Sequence, residues 1–240
     1  MLEVKKISKA FGGVKAVNDV SFTIKKGEIV GLIGPNGAGK TTIFNMITVV
    51  YPLTNGEIYF SDKLISKLHH PSDVCKVGIG RTFQVVKPFG GMTVLENVMV
   101  GAFNTTNSAN LAKEKALFAM ERVGLVRNKD VLAKSLTIVD RKRLEVARAL
   151  ATEPLLLLLD EVLAGLNPTE VEEILPLINS IRDQGTTIFM IEHIMAAMMK
   201  LSDRIVVLHH GEKLAEGTPA EITSNEKVIE AYFGGGAHNA

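Results

Sequence analysis

The spacing of hydrophobic and polar positions changes repeatedly along this chain. β-like runs at residues 2–7 and 17–24 are separated by Gly12-Gly13. Residues 28–33 read as a buried strand, followed by a glycine-rich loop and a helix from about Lys40. Asn55-Gly56 reads as a hairpin turn ahead of a strand at 57–60. Between about residues 92 and 152 convincing strands are lacking and several helices are predicted, one of them ended by Gly124. The apolar run at 155–160 is continuous, the pattern of a strand buried on both faces. Pro168 then suits the first turn of a helix, where its missing N–H costs nothing, and Gly185 stops that helix. Residues 186–191 read as another buried strand, after which Ile194, Ala197, Met198 and Leu201 share one helical face. Residues 204–208 and 212–215 form a predicted hairpin across Gly211, and Thr218-Pro219-Ala220-Glu221 has the form of a capping box.

Strands alternating with helices predict an α/β fold whose mostly parallel sheet binds ligands at the C-terminal ends of its strands. No repeat or low-complexity tract interrupts the pattern. The strand-poor middle has no Pro/Gly/Ser linker on either side. It therefore reads as a helical insertion, at about 92–152, within one domain spanning 1–233. Residues 234–240 read as a frayed tail.

The glycine-rich loop carries the first candidate chemistry. Gly34-Pro35-Asn36-Gly37-Ala38-Gly39-Lys40-Thr41 fits G-x-x-x-x-G-K-[ST] without a mismatch, and Thr42 follows inside the predicted helix. Glycines at 34, 37 and 39 let the backbone curl so that successive N–H groups face inward. The helix start adds its positive dipole end. Lys40 supplies a full positive charge for β- and γ-phosphates, and the Thr41 hydroxyl is a hard oxygen ligand for Mg²⁺. At the end of the buried run stand two carboxylates. Asp160 is placed to hold Mg²⁺ and Glu161 to polarise an attacking water as general base. ATP and Mg²⁺ are the expected cofactors.

Composition narrows the remaining classes. With 27 basic and 26 acidic residues the net charge is +1, so no global basic field argues for nucleic acid. The 46% hydrophobic content suits a well-cored globular protein. Cys75 is the single cysteine, which excludes an internal disulfide and a cysteine-cluster metal site. No apolar run approaches the roughly 18 residues of a membrane span. The N-terminus lacks a secretory apolar core, and any membrane association is expected to run through a partner.

Around these two motifs the chain resembles the ATP-binding subunits of ABC transporters over about residues 2–233. The resemblance implies a P-loop NTPase with a RecA-like sheet core, an antiparallel β subdomain and the helical insertion. Phe11 matches the aromatic that stacks on adenine in that family. Gln84 matches the glutamine that senses Mg²⁺ and the membrane partner. The stretch Ala164-Gly165-Leu166-Asn167 resembles the loop that crosses the dimer interface, and His193 matches the histidine that contacts the γ-phosphate. The stretch from Pro88 to Val98 and the ending Val228-Ile229-Glu230-Ala231-Tyr232-Phe233-Gly234 look like the branched-chain amino-acid import subgroup, in particular its G-type ATPase. Members of that subgroup also import urea and short amides. The resemblance further implies a second ATP-binding subunit, permease subunits, a solute-binding protein and a place on the cytoplasmic face of the membrane. Exposed apolar residues near Phe89, Met92 and Val94 would suit permease docking, and core packing would explain each equally well.

The chain departs from its family at one segment. Where LSGGQ is usual, it reads Leu136-Thr137-Ile138-Val139-Asp140, without either glycine. Thr137 can replace the serine that binds the γ-phosphate of the opposite subunit. Ile138 and Val139 are bulky and disfavour positive φ, and Asp140 brings negative charge towards a phosphate. The same letters also spell a helix N-terminal capping pattern, in which Asp140 would turn back to cap the helix and leave Thr137 less free. Val162 stands where proline usually follows the catalytic glutamate, with a modest loss of loop stiffness expected. Three other classes compete: an ABC ATPase without a membrane partner, a P-loop GTPase and a non-catalytic nucleotide-gated scaffold. The first usually carries two nucleotide domains or a long coiled coil. The second needs a complete guanine motif, and Asn128-Lys129-Asp130 is one residue short of it.

Overall fold

The computed structural model describes residues 1–83 and 87–233. In chain order its elements are β1 (Leu2–Phe11), β2 (Val14–Ile24), β3 (Ile29–Ile33), α1 (Lys40–Ile47), β4 (Asn55–Phe60), β5 (Lys63–Leu64), α2 (Pro71–Lys76) and β6 (Ile79–Arg81). Then come α3 (Val94–Ala102), α4 (Ala109–Arg122), α5 (Ile138–Leu150), β7 (Leu156–Asp160), α6 (Pro168–Asp183) and β8 (Thr187–Ile191). The chain continues through α7 (Met195–Leu201), β9 (Arg204–His209), β10 (Glu212–Gly217), α8 (Pro219–Thr223) and α9 (Glu226–Phe233). Two compact units emerge, one of Met1–Val74 with the described residues from Phe189 onward, the other within Cys75–Ile188.

In the first unit, β1 and β2 form a hairpin across Gly12-Gly13, and the antiparallel order is β2-β1-β4-β5. Parallel pairing of β3 with β9, and antiparallel pairing of β9 with β10, build a second set of strands. β3 is buried throughout, as are the central residues of β9, as expected of strands covered on both faces. Phe189 anchors the core, its ring 5.4 Å from Phe22 and 5.1 Å from Phe44 of α1. This packing fixes the start of α1, and with it the loop that precedes it.

Asn55-Gly56 is not a hairpin turn. Both residues lie inside β4, where Asn55 pairs with Ser8 and the register slips between Lys5 and Ser8 of β1. Gly56 has φ +91, and a Cβ there would strike the backbone of residues 5–7. Its glycine serves close passage over a bulged strand, a use that the same two letters do not distinguish from a turn.

In the second unit, β6 and β7 pair in parallel. Leu156, Leu157, Leu158 and Leu159 are fully buried. The region from 92 to 152 is helical as expected, with α3, α4 and α5 packed together. Thr93 caps α3 in a reciprocal box with Glu96, and Asn167 does the same for α6 with Glu170. Gly124 follows α4 at φ +69, where the Leu125 N–H returns to the Met120 carbonyl at 2.9 Å and closes the helix end. The compact unit is wider than the helical stretch because β6, β7 and α6 belong to it. Among the described residues, no helix is long and apolar enough to cross a membrane.

Candidate functional site

In the first unit the chain leaves β3 and turns through residues 34–39 into α1. Gly34 and Gly39 are both required by geometry. A Cβ on Gly39, at φ +101, would lie 2.5 Å from the Ala16 carbonyl oxygen, and one on Gly34 would collide with the Leu208 carbonyl oxygen. The loop closes on itself through the Ala38 N–H to the Pro35 carbonyl at 3.1 Å. The start of α1 has no side-chain cap, because its N-cap is the glycine Gly39. Lys40 is buried, its Nζ donating to the Gly34 carbonyl at 2.7 Å and the Pro35 carbonyl at 3.0 Å. The ammonium therefore sits in the curl of the loop. Thr41 is exposed and Thr42 half-buried. A small concave backbone with a fixed cation at its centre is the form an anion site takes.

Phe11 ends β1 with 44% of its surface exposed and its ring edge-on to Tyr51, centroids 5.2 Å apart. The Lys9 ammonium lies over both rings. Tyr51 had no signal in the sequence: it is distant from Phe11 along the chain and belongs to no motif. His193 is exposed just beyond β8. Tyr232 in α9 was likewise missed as a neighbour of the loop. Burial pushes its phenol up to about 12, against a hydrogen bond from the Gly34 backbone that acts to lower it.

In the second unit, Asp160 ends β7. Its carboxylate accepts from the Arg81 guanidinium at 2.8 Å in an ion pair buried on both sides. Its amide donates to the Thr82 hydroxyl at 3.1 Å. Glu161 follows at φ +51, a left-handed conformation uncommon for a residue with a Cβ. Its carbonyl accepts from the Ala164 N–H at 3.1 Å, which closes a turn, and from the Lys142 ammonium, also at 3.1 Å. The stretch 164–167 is largely exposed at the start of α6.

Thr137 is the N-cap of α5. Its hydroxyl accepts from the Asp140 N–H at 3.2 Å, while the Asp140 carboxylate faces Arg143 at 3.9 Å. The cap is therefore the Thr137 hydroxyl, and the Asp140 carboxylate, expected to turn back onto the helix start, faces Arg143 instead. Ile138 is 58% exposed at the helix start. Phe89 is exposed and Met92 half-buried, whereas Val94 is fully buried as the first residue of α3. Val94 is core because the capped helix start directs it inward. Gln84 lies outside the described residues. Among those described, no group of three or more His, Cys, Asp or Glu is placed to hold a metal ion.

A family model described as ABC transporter matches residues 17–164, which include the phosphate loop, Thr137, Asp160 and Glu161. The chain belongs to the ABC transporter family. A second model, for branched-chain amino acid ATP-binding cassette transporters, matches residues 212–238 of this ABC ATPase. The cassette is 42% identical to the high-affinity branched-chain amino acid transport ATP-binding protein LivG of Salmonella typhimurium, covering 98% of both chains. It is 39% identical to BraF of Pseudomonas aeruginosa over the same shares, and 37% identical to the lipopolysaccharide export ATP-binding protein LptB of Escherichia coli over 97% of each. Among solved structures, a nucleotide-free ABC transporter cassette superposes with a TM-score of 0.88 at 32% identity, covering 97% of this chain and 98% of that one. A dimeric ABC cassette bound to ADP and phosphate gives 0.81 at 27% identity, covering 91% and 99%. These neighbours fix the P-loop NTPase fold expected from the motifs.

Proposed function

We propose that this chain is the ATP-hydrolysing subunit of an importer for branched-chain amino acids or a related small solute such as urea or an amide. The observation that carries the solute class is the match of residues 212–238 to the branched-chain cassette model, at the end of a chain that aligns with LivG over nearly its full length. Two such subunits pack head to tail beneath permease subunits on the cytoplasmic face of the membrane. No nucleic acid takes part.

The roles follow from the chemistry of each group. The amides of residues 34–42 and the Lys40 ammonium neutralise and orient the phosphates, the dominant task in phosphoryl transfer. Phe11 offers a flat apolar surface to adenine, with Tyr51 bracing its ring. Glu161 accepts the proton of the attacking water, and His193 orients the γ-phosphate. Gln84 links this chemistry to the permease. The Thr41 hydroxyl and the Asp160 carboxylate are hard oxygen donors of the kind Mg²⁺ selects, with Gln84 a further candidate ligand. Bound there, Mg²⁺ would supply charge neutralisation on the phosphates. Thr137 and the start of α5 serve the ATP held by the partner subunit.

A second reading, of slow hydrolysis, is favoured by the exposed Ile138 and the nearby Asp140 carboxylate at that helix start. Pull-down of the full chain from detergent-solubilised membranes tests the transport reading. Hydrophobic permeases should co-purify, and proteoliposomes containing them should accumulate labelled leucine only with ATP. Recovery of the chain without integral membrane proteins, or uptake indifferent to ATP, would count against it.

A further inference from the structure

Lys142 lies on the second turn of α5, only 7% exposed. Burying an ammonium is costly unless charge and hydrogen bonds meet it. Glu145 is buried one turn further on; burial pushes its carboxyl above the usual carboxylate range, against the pull of Arg148 and Lys142 towards the charged form. The Lys142 Nζ reaches the Glu161 main-chain carbonyl at 3.1 Å. That oxygen also receives the Ala164 N–H at 3.1 Å, so both its lone pairs are engaged. The peptide so clamped follows a residue at φ +51, which persists only where its surroundings hold it. Val162 lets the Glu161 peptide rotate more freely than a proline at that position would.

We propose that Lys142 is a positioning residue for Glu161: its bond to the Glu161 carbonyl holds the left-handed turn that aims the Glu161 carboxylate at the attacking water. This rests on the reading of Glu161 as the general base. Lys142 has no role in holding the nucleotide. It acts by keeping a strained peptide from relaxing, and a misplacement of about 1 Å at a reacting group is enough to cost on the order of 100-fold in rate.

The test uses the purified full-length chain. Lys142→Met removes the donor while keeping the length, and Lys142→Arg keeps a donor. For Lys142→Met we expect kcat to fall at least about tenfold, with KM and the Kd for ATP within about twofold of wild type. Lys142→Arg should recover most of that loss. In a Glu161→Gln background, adding Lys142→Met should leave the residual rate unchanged, because two residues acting through one group are not additive. An unchanged kcat in Lys142→Met overturns the proposal. So does an equal fall in ATP affinity, or a further loss of the same size in the Glu161→Gln background. Should Glu161→Gln alone turn over at near the wild-type rate, the base assignment fails whatever Lys142 does, so the two failures are distinguishable.

Discussion

Two helix starts in this molecule face the same physical problem and solve it differently. The first amides of α1 and of α5 have no partner within their own helix. At α1 the preceding residue is Gly39, left-handed and without a side-chain cap, and a lysine ammonium lies in the curl before it. At α5 the preceding residue is Thr137, extended, with its hydroxyl already accepting from the third amide of the turn. The first start is kept open by glycines and is suited to an outside anion. The second is partly satisfied from within and flanked by the exposed Ile138. An anion site at a helix end therefore depends on what the flanking residues leave unsatisfied as much as on the dipole.

The largest expected effect comes from closing the open start. Gly39→Ala would force a Cβ to 2.5 Å from the Ala16 carbonyl at φ +101. ATP affinity should drop by about 100-fold or more, read by fluorescent-nucleotide titration, with the fold retained by circular dichroism. Opening the closed start is the converse. Ile138→Gly together with Val139→Gly should raise steady-state turnover several-fold if this segment limits hydrolysis, and an unchanged rate would remove the second reading.

Much of this contrast was legible in the sequence, for a physical reason. The phosphate loop is a local device, and glycine, lysine and threonine at fixed spacing between a strand and a helix leave few other structures. The run ending at Asp160 is equally local, since a continuous apolar strand followed by carboxylates marks a buried strand end. The cap at Thr137 and the box at Thr218 were also readable, because capping is settled within four residues. What was hidden depends on chain segments meeting. The edge of Tyr51 on Phe11, the Arg81–Asp160 pair and the clamp of Lys142 on Glu161 join residues distant in sequence, with no periodic signal. Asn55-Gly56 misled because glycine serves both turns and close strand passage. Val94 was ambiguous until the cap at Thr93 set its direction.

Smaller effects sharpen the contrast. Thr137→Ala should destabilise the protein by about 1 kcal/mol in chemical denaturation, as expected for loss of an N-cap. A loss near zero would mean that the cap is not what satisfies this helix start. The smallest effect concerns Tyr232, beside the open loop. Its phenol titrates near 10 when unfolded and at about 12 in the fold, so the unfolded chain loses this proton first. The stability it contributes is full below pH 10 and falls as pH rises towards about 12. Tyr232→Phe should flatten that alkaline decline in thermal unfolding.

In the proposed division of labour the open loop binds ATP and the Glu161 carboxylate turns it over. That division is tested most directly by measuring ATP binding and hydrolysis side by side for the wild-type chain and Glu161→Gln. Equal binding, a turnover lowered by at least about 100-fold to a small but measurable residual rate, and an ATP-dependent dimer that persists in the variant are expected. Hydrolysis by Glu161→Gln at near the wild-type rate would contradict it.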